Sequence, residues 1–302
     1  MKAASQTRTT LPTRLWRTWA CTALLLWAGW AAAQGFSLRD DRGVVHHFEQ
    51  PAQRVVSLLP SLTEVVAALG AADRLVGVDR FSDWPAAVAQ LPRLGGIDDA
   101  QIEAIATLKP DVVLASTSAR AIDRLETLGF KVLRLKSDTH ADVQRTLILV
   151  AQLLGVPQRG VQVWDRIQGQ LAQAAQQVPP TLRGQSVYFE IGGGPFAAGS
   201  GSFIGQTLLR LGLHNIVPPE LGPFPKLNPE FVVRARPQIV MGASREQTLM
   251  ASRPGWQNLP AIQQGQQCGF ASAEYDLLIR PGPRLGEAAA LLARCLQRIE
   301  SR

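Results

Sequence analysis

Short apolar runs alternate with amphipathic stretches in the first half of the chain. The runs are rich in Val and Leu, are typical of buried strands, and lie at residues 54–58, 75–78, 111–114 and 131–135. The stretches between them have helical periodicity, stop at glycine or proline, and lie at residues 61–69, 100–108 and 121–128. This alternation predicts an α/β lobe with a mainly parallel sheet.

A second α/β series begins at residues 185–189, after helical patterns at 142–154 and 158–177. An uninterrupted helix resists the φ/ψ changes that a loop hinge absorbs, so the second helical pattern predicts a stiff connection between two lobes. The predicted division is an N-terminal lobe at 34–156, a linker helix at 157–180 and a C-terminal lobe at 181–302.

The two halves share a repeated pattern. Glu103 precedes Pro110 by seven residues, and Glu230 precedes Pro237 by the same number; a buried strand is predicted after each proline. The repeat predicts two similarly built lobes, each with one acid at an equivalent position.

Residues 36–48 predict a β-hairpin whose turn is formed by Asp41, Arg42 and Gly43. The adjacent residues His46 and His47 point to opposite faces of a strand, so they are not expected to share a metal ion.

The first 33 residues have the composition of a secretory signal. Four basic residues and no acid precede the apolar run at 20–30, which is followed by three alanines and Gln34. The run is shorter than the roughly 20 residues of a membrane span. Cys21 lies at the start of the apolar run and follows Thr-Trp-Ala instead of a Leu-Ala-Gly type sequence, so no lipid anchor is expected. These features predict an exported chain, cleaved before Gln34 and located in the periplasm.

Charge and cysteine content narrow the class of protein further. The four basic residues of the signal account for most of the formal charge of +7, and about +3 remains without them. Nucleic-acid binding is therefore not predicted. Cys268 and Cys295 follow the signal, and their spacing leaves open whether they form a disulfide or two buried thiols.

Five motifs together resemble the iron-siderophore and cobalamin family of periplasmic binding proteins, with the cobalamin-binding members most similar. The motifs lie at residues 54–64, 81–85, 94–97, 103–111 and 280–284, and the resemblance runs from about Phe36 to Ile299. It implies the class III architecture: two mainly parallel α/β lobes, a rigid backbone helix, and a ligand held in the cleft. It also implies a protein that is monomeric when free, has no intrinsic cofactor, and delivers its ligand to an ABC permease dimer with its ATPase.

The resemblance also assigns a role to the repeated acids. In this family an exposed glutamate on each lobe docks with arginines of the permease, and the matching residues are Glu103 and Glu230. A carboxylate–arginine contact is directional, so two of them fix an orientation. The alternative is a helix-start acid stabilised by the helix dipole, and both roles are compatible.

Parallel α/β lobes bind ligands at the carboxyl ends of their strands, and that rule selects the candidate residues. A corrinoid such as cobalamin is a large apolar disc with polar fringe groups, so aromatic faces and polar donors are both expected. The candidates are Ser61, Phe81, Trp84, Gly96, Ser116, Thr117, Glu190, Phe196, Phe224, Tyr275 and Arg280.

Haem and ferric siderophores are the alternative ligands. Related haem-binding proteins hold iron through Tyr or His; here Tyr188 is expected in the core and Tyr275 in a loop at the cleft. The cobalamin-binding members have tryptophans in the N-terminal lobe where this chain has Gly-Gly-Ile at residues 95–97 and Ser116. The chain departs from the cobalamin-binding pattern at these positions. Four histidines, two of them adjacent, do not predict a dedicated zinc or manganese site.

An enzyme, either a hydrolase or a metal chelatase, is the alternative of another class. A hydrolase needs a nucleophile activated by a base, but the chain has no Gly-x-Ser-x-Gly motif. Residues 199–202 are better interpreted as a flexible ligand loop, and His214 has no acid at a motif spacing. The sequence therefore predicts a binding protein.

Overall fold

The computed structural model describes residues 35–301, together with residue 3. The predicted secretory signal therefore lies outside the described residues, apart from residue 3. The first two elements, β1 (Phe36–Arg39) and β2 (Val45–Phe48), pair antiparallel and confirm the predicted hairpin. His46 lies 3.5 Å from Asp40, whereas the ring of His47 hydrogen-bonds to Ser37. The two imidazoles thus have different surroundings, as the strand geometry requires.

The N-terminal lobe contains a four-stranded parallel sheet of order β4-β3-β5-β6. Its strands are β3 (Val55–Ser57), β4 (Leu75–Val78), β5 (Val112–Ser116) and β6 (Val132–Leu135). Its helices are α1 (Pro60–Ala68), α2 (Ile102–Thr107), α3 (Asp123–Thr127) and α4 (His140–Leu153). All four predicted strands and all three predicted helices between them are present, with ends shifted by no more than two residues.

The C-terminal lobe contains a five-stranded sheet in which β11, β10, β7 and β8 follow one another and β9 also pairs with β7. Its strands are β7 (Ser186–Ile191), β8 (Phe196–Ala197), β9 (His214–Asn215), β10 (Ile239–Ala243) and β11 (Gln267–Phe270). Only β8 runs antiparallel to its neighbour. Its helices are α6 (Phe203–Arg210), α7 (Pro229–Ala235), α8 (Ser244–Met250), α9 (Pro260–Gln263), α10 (Ser272–Ile279) and α11 (Leu285–Glu300). The fold class predicted from the sequence is confirmed.

A single long helix, α5 (Pro157–Gln176), connects the lobes. Its buried face includes Val163, Ile167 and Leu171 at helical spacing, and it packs against α4 of one lobe and α11 of the other. Gly160 allows a close approach to α4, because a Cβ there would lie 2.9 Å from the Cβ of Ala151. The helix is therefore held on both sides along its length.

The repeated pattern seen in the sequence recurs in the backbone. Glu103 and Glu230 lie in the first turns of α2 and α7, and both are exposed. The residues directly before the two prolines, Lys109 and Arg236, are left-handed, with a φ of 46° in each case. A proline disfavours the right-handed helical region for the residue before it, which explains why both helices end here. The two lobes thus terminate corresponding helices in the same way.

Short connections complete the described chain. Turns of 3-10 helix lie at Ala72–Arg74, Ala86–Gln90, Pro180–Leu182, Pro219–Leu221 and Trp256–Asn258. No helix between residues 35 and 301 combines the length and the apolar character needed to cross a membrane.

A disulfide joins Cys268 of β11 to Cys295 of α11. The sequence left this pairing open, and the structure resolves it. Because disulfides persist in oxidising compartments, the bond agrees with a protein that functions outside the cytoplasm.

Candidate ligand-binding cleft

A cavity of about 670 Å³ lies between the two lobes. It is at the carboxyl ends of the parallel strands, where a ligand site is expected in an α/β lobe. The N-terminal lobe lines it with Leu59, Pro60, Ser61, Arg80, Phe81, Asp83, Ser116, Ser137 and Asp138. The C-terminal lobe lines it with Ile191, Phe203, Ile204, Phe224, Asp276, Ile279, Arg280 and Pro281. Aromatic and aliphatic faces therefore alternate with hydroxyls, carboxylates and guanidinium groups.

Five of the residues singled out from the sequence line this cavity: Ser61, Phe81, Ser116, Phe224 and Arg280. Phe81 is 62 % exposed, which is unusual for a phenylalanine and leaves its ring free for a ligand. Phe224 packs edge-on against Phe203, with 5.9 Å between the ring centroids.

The other six candidates do not line the cavity; they are Trp84, Gly96, Thr117, Glu190, Phe196 and Tyr275. Trp84 is half-buried and lies 5.0 Å beneath the guanidinium of Arg284. Gly96 lies behind Phe81, since a Cβ there would be 3.5 Å from its ring. Thr117 is half-buried beside Ser116, and Phe196 is 47 % exposed on β8.

Tyr275 differs from the expectation in both position and exposure. It lies within α10 rather than in a loop, and it is only 8 % exposed. Its hydroxyl accepts from the backbone N–H of Gly192 at 2.7 Å and donates to the carbonyl of Glu190 at 3.2 Å. Burial raises the pKa of this phenol, so it stays protonated. The hydroxyl is engaged with β7 and the turn that follows it; Tyr188 is buried in the core, as expected.

Glu190 forms a buried ion pair away from the cleft. Its carboxylate is fully buried and accepts hydrogen bonds from both Nη atoms of Arg253, at 2.5 and 2.8 Å. The hydroxyl of Tyr188 donates to the same carboxylate at 3.1 Å. Burial and the nearby carboxylate raise the pKa of Tyr188. These groups line a second cavity of about 280 Å³ beside Trp256.

Arg280 connects the two lobes at one side of the cavity. Its Nη1 donates to Oε1 of Glu64 at 3.2 Å and also to Asp83, and its Nη2 donates to the carbonyl of Phe81 at 3.3 Å. Arg284 follows four residues later, 3.8 Å from Glu64. The two arginines of the 280–284 motif thus bind the acids of the 54–64 and 81–85 motifs.

Glu64 is the last residue of the 54–64 motif, and the sequence analysis did not predict a role for it. The available signal was a single acid among the apolar residues of α1. Its side chain is 1 % exposed, and burial raises its pKa to about 7 although Arg284 and Arg280 act to lower it. Its Oε2 has no hydrogen-bond partner among the described residues, and the same holds for the buried Oγ of Ser61, one turn earlier.

A buried carboxyl fixes the loop that carries Phe81. Asp79 follows β4, is 1 % exposed, and accepts from the backbone N–H of Phe81 at 2.7 Å and from the hydroxyl of Ser82. Burial is the main cause of the raised pKa of Asp79. These contacts hold the backbone of Phe81, while its ring remains exposed.

A second contact between the lobes joins the start of α4 to α6. The hydroxyl of Thr207 donates to the carbonyl of Phe203, so it accepts from Nε2 of His140 at 2.9 Å. The backbone N–H of His140 donates to Gln206 at 2.8 Å. Burial lowers the pKa of His140 to about 4, so the imidazole is neutral at physiological pH.

The lining offers few groups that bind a metal directly. Within residues 35–301, no group of three or more His, Cys, Asp and Glu is arranged to hold an ion. The described cavity lining also contains no His, Cys, Tyr or Met, and its only acids are Asp83, Asp138 and Asp276. A metal chelate would therefore meet mainly apolar faces and hydrogen-bonding groups.

Comparison with known proteins agrees with this architecture. A family model described as a periplasmic binding protein matches residues 55–268. A vitamin B12-binding protein of Vibrio vulnificus is 28 % identical over 241 residues, which cover 78 % of this chain and 86 % of the relative.

Two solved structures extend the comparison to the fold. The periplasmic vitamin B12-binding protein of Vibrio cholerae superposes with a TM-score of 0.67 and 24 % identity, covering 83 % of this chain and 99 % of that one. A periplasmic haem-binding protein of Pseudomonas aeruginosa superposes with a TM-score of 0.68 and 26 % identity, covering 81 % and 92 %. Relatives with either type of ligand thus share this arrangement of lobes.

Proposed function

The chain belongs to the periplasmic binding protein family, and we propose that it binds a corrinoid such as cobalamin in the cleft between its lobes and delivers it to an ABC importer. The observation that carries the choice of ligand is the lining of the cavity. It combines exposed aromatic and aliphatic faces with hydroxyls and charged groups at its edge. This mixture suits an apolar disc with a polar fringe.

The absence of histidine and tyrosine from the described lining favours a corrinoid over haem. Haem iron in related proteins is held by Tyr or His, whereas a cobalamin carries its own axial ligands. Tyr275, the candidate for iron ligation, donates its hydroxyl proton to the Glu190 carbonyl and accepts from Gly192. Haem and ferric siderophores remain the alternative cargo, because a haem-binding relative shares the fold.

The unpartnered oxygens at the cleft also support a ligand there. Ser61 lines the cavity, and its buried Oγ makes no hydrogen bond within the described residues. A buried polar group without a partner is costly, and a ligand amide removes that cost. We therefore include Ser61 with Phe81, Ser116, Phe224 and Arg280 in the proposed site. The residues that surround the proposed site and position it are Trp84, Gly96, Thr117 and Phe196.

We propose that the partner is a permease dimer with its ATPase, and that Glu103 and Glu230 dock with it. Support comes from their exposure and from their equivalent positions at the starts of α2 and α7. A relative from Bacillus subtilis, 26 % identical, carries the description of an ABC transporter substrate-binding lipoprotein. Family membership indicates an extracytoplasmic protein, and we propose the periplasm, with residues 1–33 as the cleaved signal.

A binding role without catalysis is proposed as well. Ser116, a hydroxyl of the cavity lining, contacts Ser118 at 2.9 Å rather than a histidine. Ser61 likewise has no base as a hydrogen-bond partner among residues 35–301. A nucleophile needs such a base, so these contacts favour a carrier over a hydrolase.

Calorimetric titration of the protein with cyanocobalamin, cobinamide, haemin and a ferric hydroxamate tests the proposal. We expect saturation by one cyanocobalamin per chain and much weaker binding of haemin. Tight binding of haemin or of the hydroxamate, with no heat from either corrinoid, would replace the proposed cargo.

A further inference from the structure

The charges of the cavity suggest which fringe groups the ligand carries. Two arginines and three aspartates line it, so the formal charge of the lining is negative. Both arginines are already paired within the protein. Arg80 binds Asp99 outside the lining, and Arg280 binds Asp83 and Glu64.

Asp138 is the charged group of the lining that the protein itself leaves free. Asp276 lies 3.9 Å from Arg280, whereas the Asp138 carboxylate is in no ion pair or hydrogen bond with the residues that the structure describes. A half-buried carboxylate without a partner keeps both of its oxygens available as hydrogen-bond acceptors.

The backbone of Asp138 is held from both lobes. Its N–H donates to Asp142 at 3.1 Å, within the capping arrangement that starts α4. Its carbonyl accepts from the N–H of Phe203 at 2.6 Å, at the start of α6. The backbone that carries this side chain at the cavity is therefore fixed, so ligand binding requires no reordering of the main chain there.

We infer that Asp138 selects ligands whose fringe groups are amides or cations and rejects ligands that carry carboxylates. A ligand amide donates a charge-assisted hydrogen bond to this carboxylate, while a ligand carboxylate meets a like charge in a partly dehydrated site. Rejection of this kind gives specificity through an unfavourable contact with the wrong ligand. The inference rests on the proposed corrinoid cargo. Asp138 lies outside the five sequence motifs, so the motifs do not predict it as a specificity residue.

Two corrins that differ only in their fringe groups test the inference. Dicyanocobinamide carries amides, and dicyanocobyrinic acid carries carboxylates on the same ring. We expect the wild type to prefer the amide form, and D138N to reduce the ratio of the two dissociation constants by about tenfold or more. The matched control is D165N, which removes an exposed carboxylate from α5, outside the cavity.

The outcomes separate this inference from the function on which it rests. If the wild type binds the amide corrin tightly and D138N leaves the ratio unchanged, the role of Asp138 is wrong while the cargo stands. If the wild type binds neither corrin, the proposed cargo is wrong and the inference falls with it. A ratio that falls equally in D165N would mean that general charge, and not Asp138, makes the selection.

Discussion

Nη1 of Arg280, in the C-terminal lobe, donates to Oε1 of Glu64, in the N-terminal lobe, across 3.2 Å. The guanidinium is 12 % exposed and the carboxyl 1 % exposed, so the contact is largely shielded from water. This contact joins the lobes beside the cavity, so its loss should lower the stability of the protein.

Replacing Arg280 by Ala should lower the free energy of unfolding by about 3 kcal/mol at pH 8, because the buried, ionised Glu64 loses the guanidinium that hydrogen-bonds to it and keeps only Arg284, at 3.8 Å. The pKa of Glu64 is about 7, so at pH 5.5 the carboxyl is protonated and the cost should be smaller. Urea unfolding at both pH values measures this difference. The double mutant R280A/E64Q should lose less than the sum of the single mutants. Equal losses at both pH values would show that the ion pair is not the cause.

His140 should make stability depend on pH in the acid range. Burial lowers the pKa of the folded state to about 4 from an ordinary value of 6.5, so the unfolded chain binds the proton more strongly. The stabilisation is complete above pH 6.5 and is lost as the pH falls towards 4, by at most about 3 kcal/mol. In His140→Asn that slope should flatten between pH 6.5 and 4. An unchanged slope in urea titrations would assign the acid sensitivity to other groups.

Phe81→Ala should weaken ligand binding about tenfold with little loss of stability. The ring is 62 % exposed and lines the cavity, so its removal takes contact area from the ligand and little from the core. Calorimetry with the cognate ligand measures the affinity. Leu128→Ala, which trims a side chain 54 % exposed outside the cavity, is the matched control and should bind as the wild type does. Unaltered affinity in Phe81→Ala would remove this ring from the site.

Glu103→Ala and Glu230→Ala should leave the fold and the ligand affinity unchanged and still reduce transport. Both carboxylates are exposed and are in no ion pair within the described chain. Loss of one charge-assisted contact costs roughly 2 kcal/mol when the partner arginine is left unpaired, and loss of both should nearly abolish docking. Stimulation of the transporter ATPase in reconstituted vesicles is the measurement. Full stimulation by the double mutant would mean that both acids are only helix-start residues.

The order of elements could be predicted from the sequence because the apolar runs and their Gly and Pro stops are local signals. The strand at 75–78 was predicted with the bounds that the structure has. The helix predicted at 100–108 is shorter, Ile102–Thr107, and no side chain caps its start. Without a capping side chain, the sequence has no local signal for the first turn.

The site was predicted less completely, because pairing across the cleft depends on residues far apart in the chain. Phe81 and Arg280 were predicted at the cleft by the rule that ligands meet strand ends, and both line the cavity. Tyr275 was expected in a loop, but Glu274 accepts from the N–H of Ala271 and begins α10 there. Glu64 and Arg280 are 216 residues apart, and no local pattern reveals that they meet.

The disulfide between Cys268 and Cys295 also determines when the C-terminal lobe can reach its full stability. A bond that closes a loop of 27 residues contributes about 3 to 4 kcal/mol, mainly by restricting the unfolded chain. In a reducing cytoplasm the bond is missing, so the newly made lobe lies closer to its unfolding threshold. A chain that passes through a translocation channel must be unfolded. Late formation of the disulfide keeps the chain easier to unfold until then. If the chain is exported as proposed, this stabilising bond forms only after the chain has left the cytoplasm.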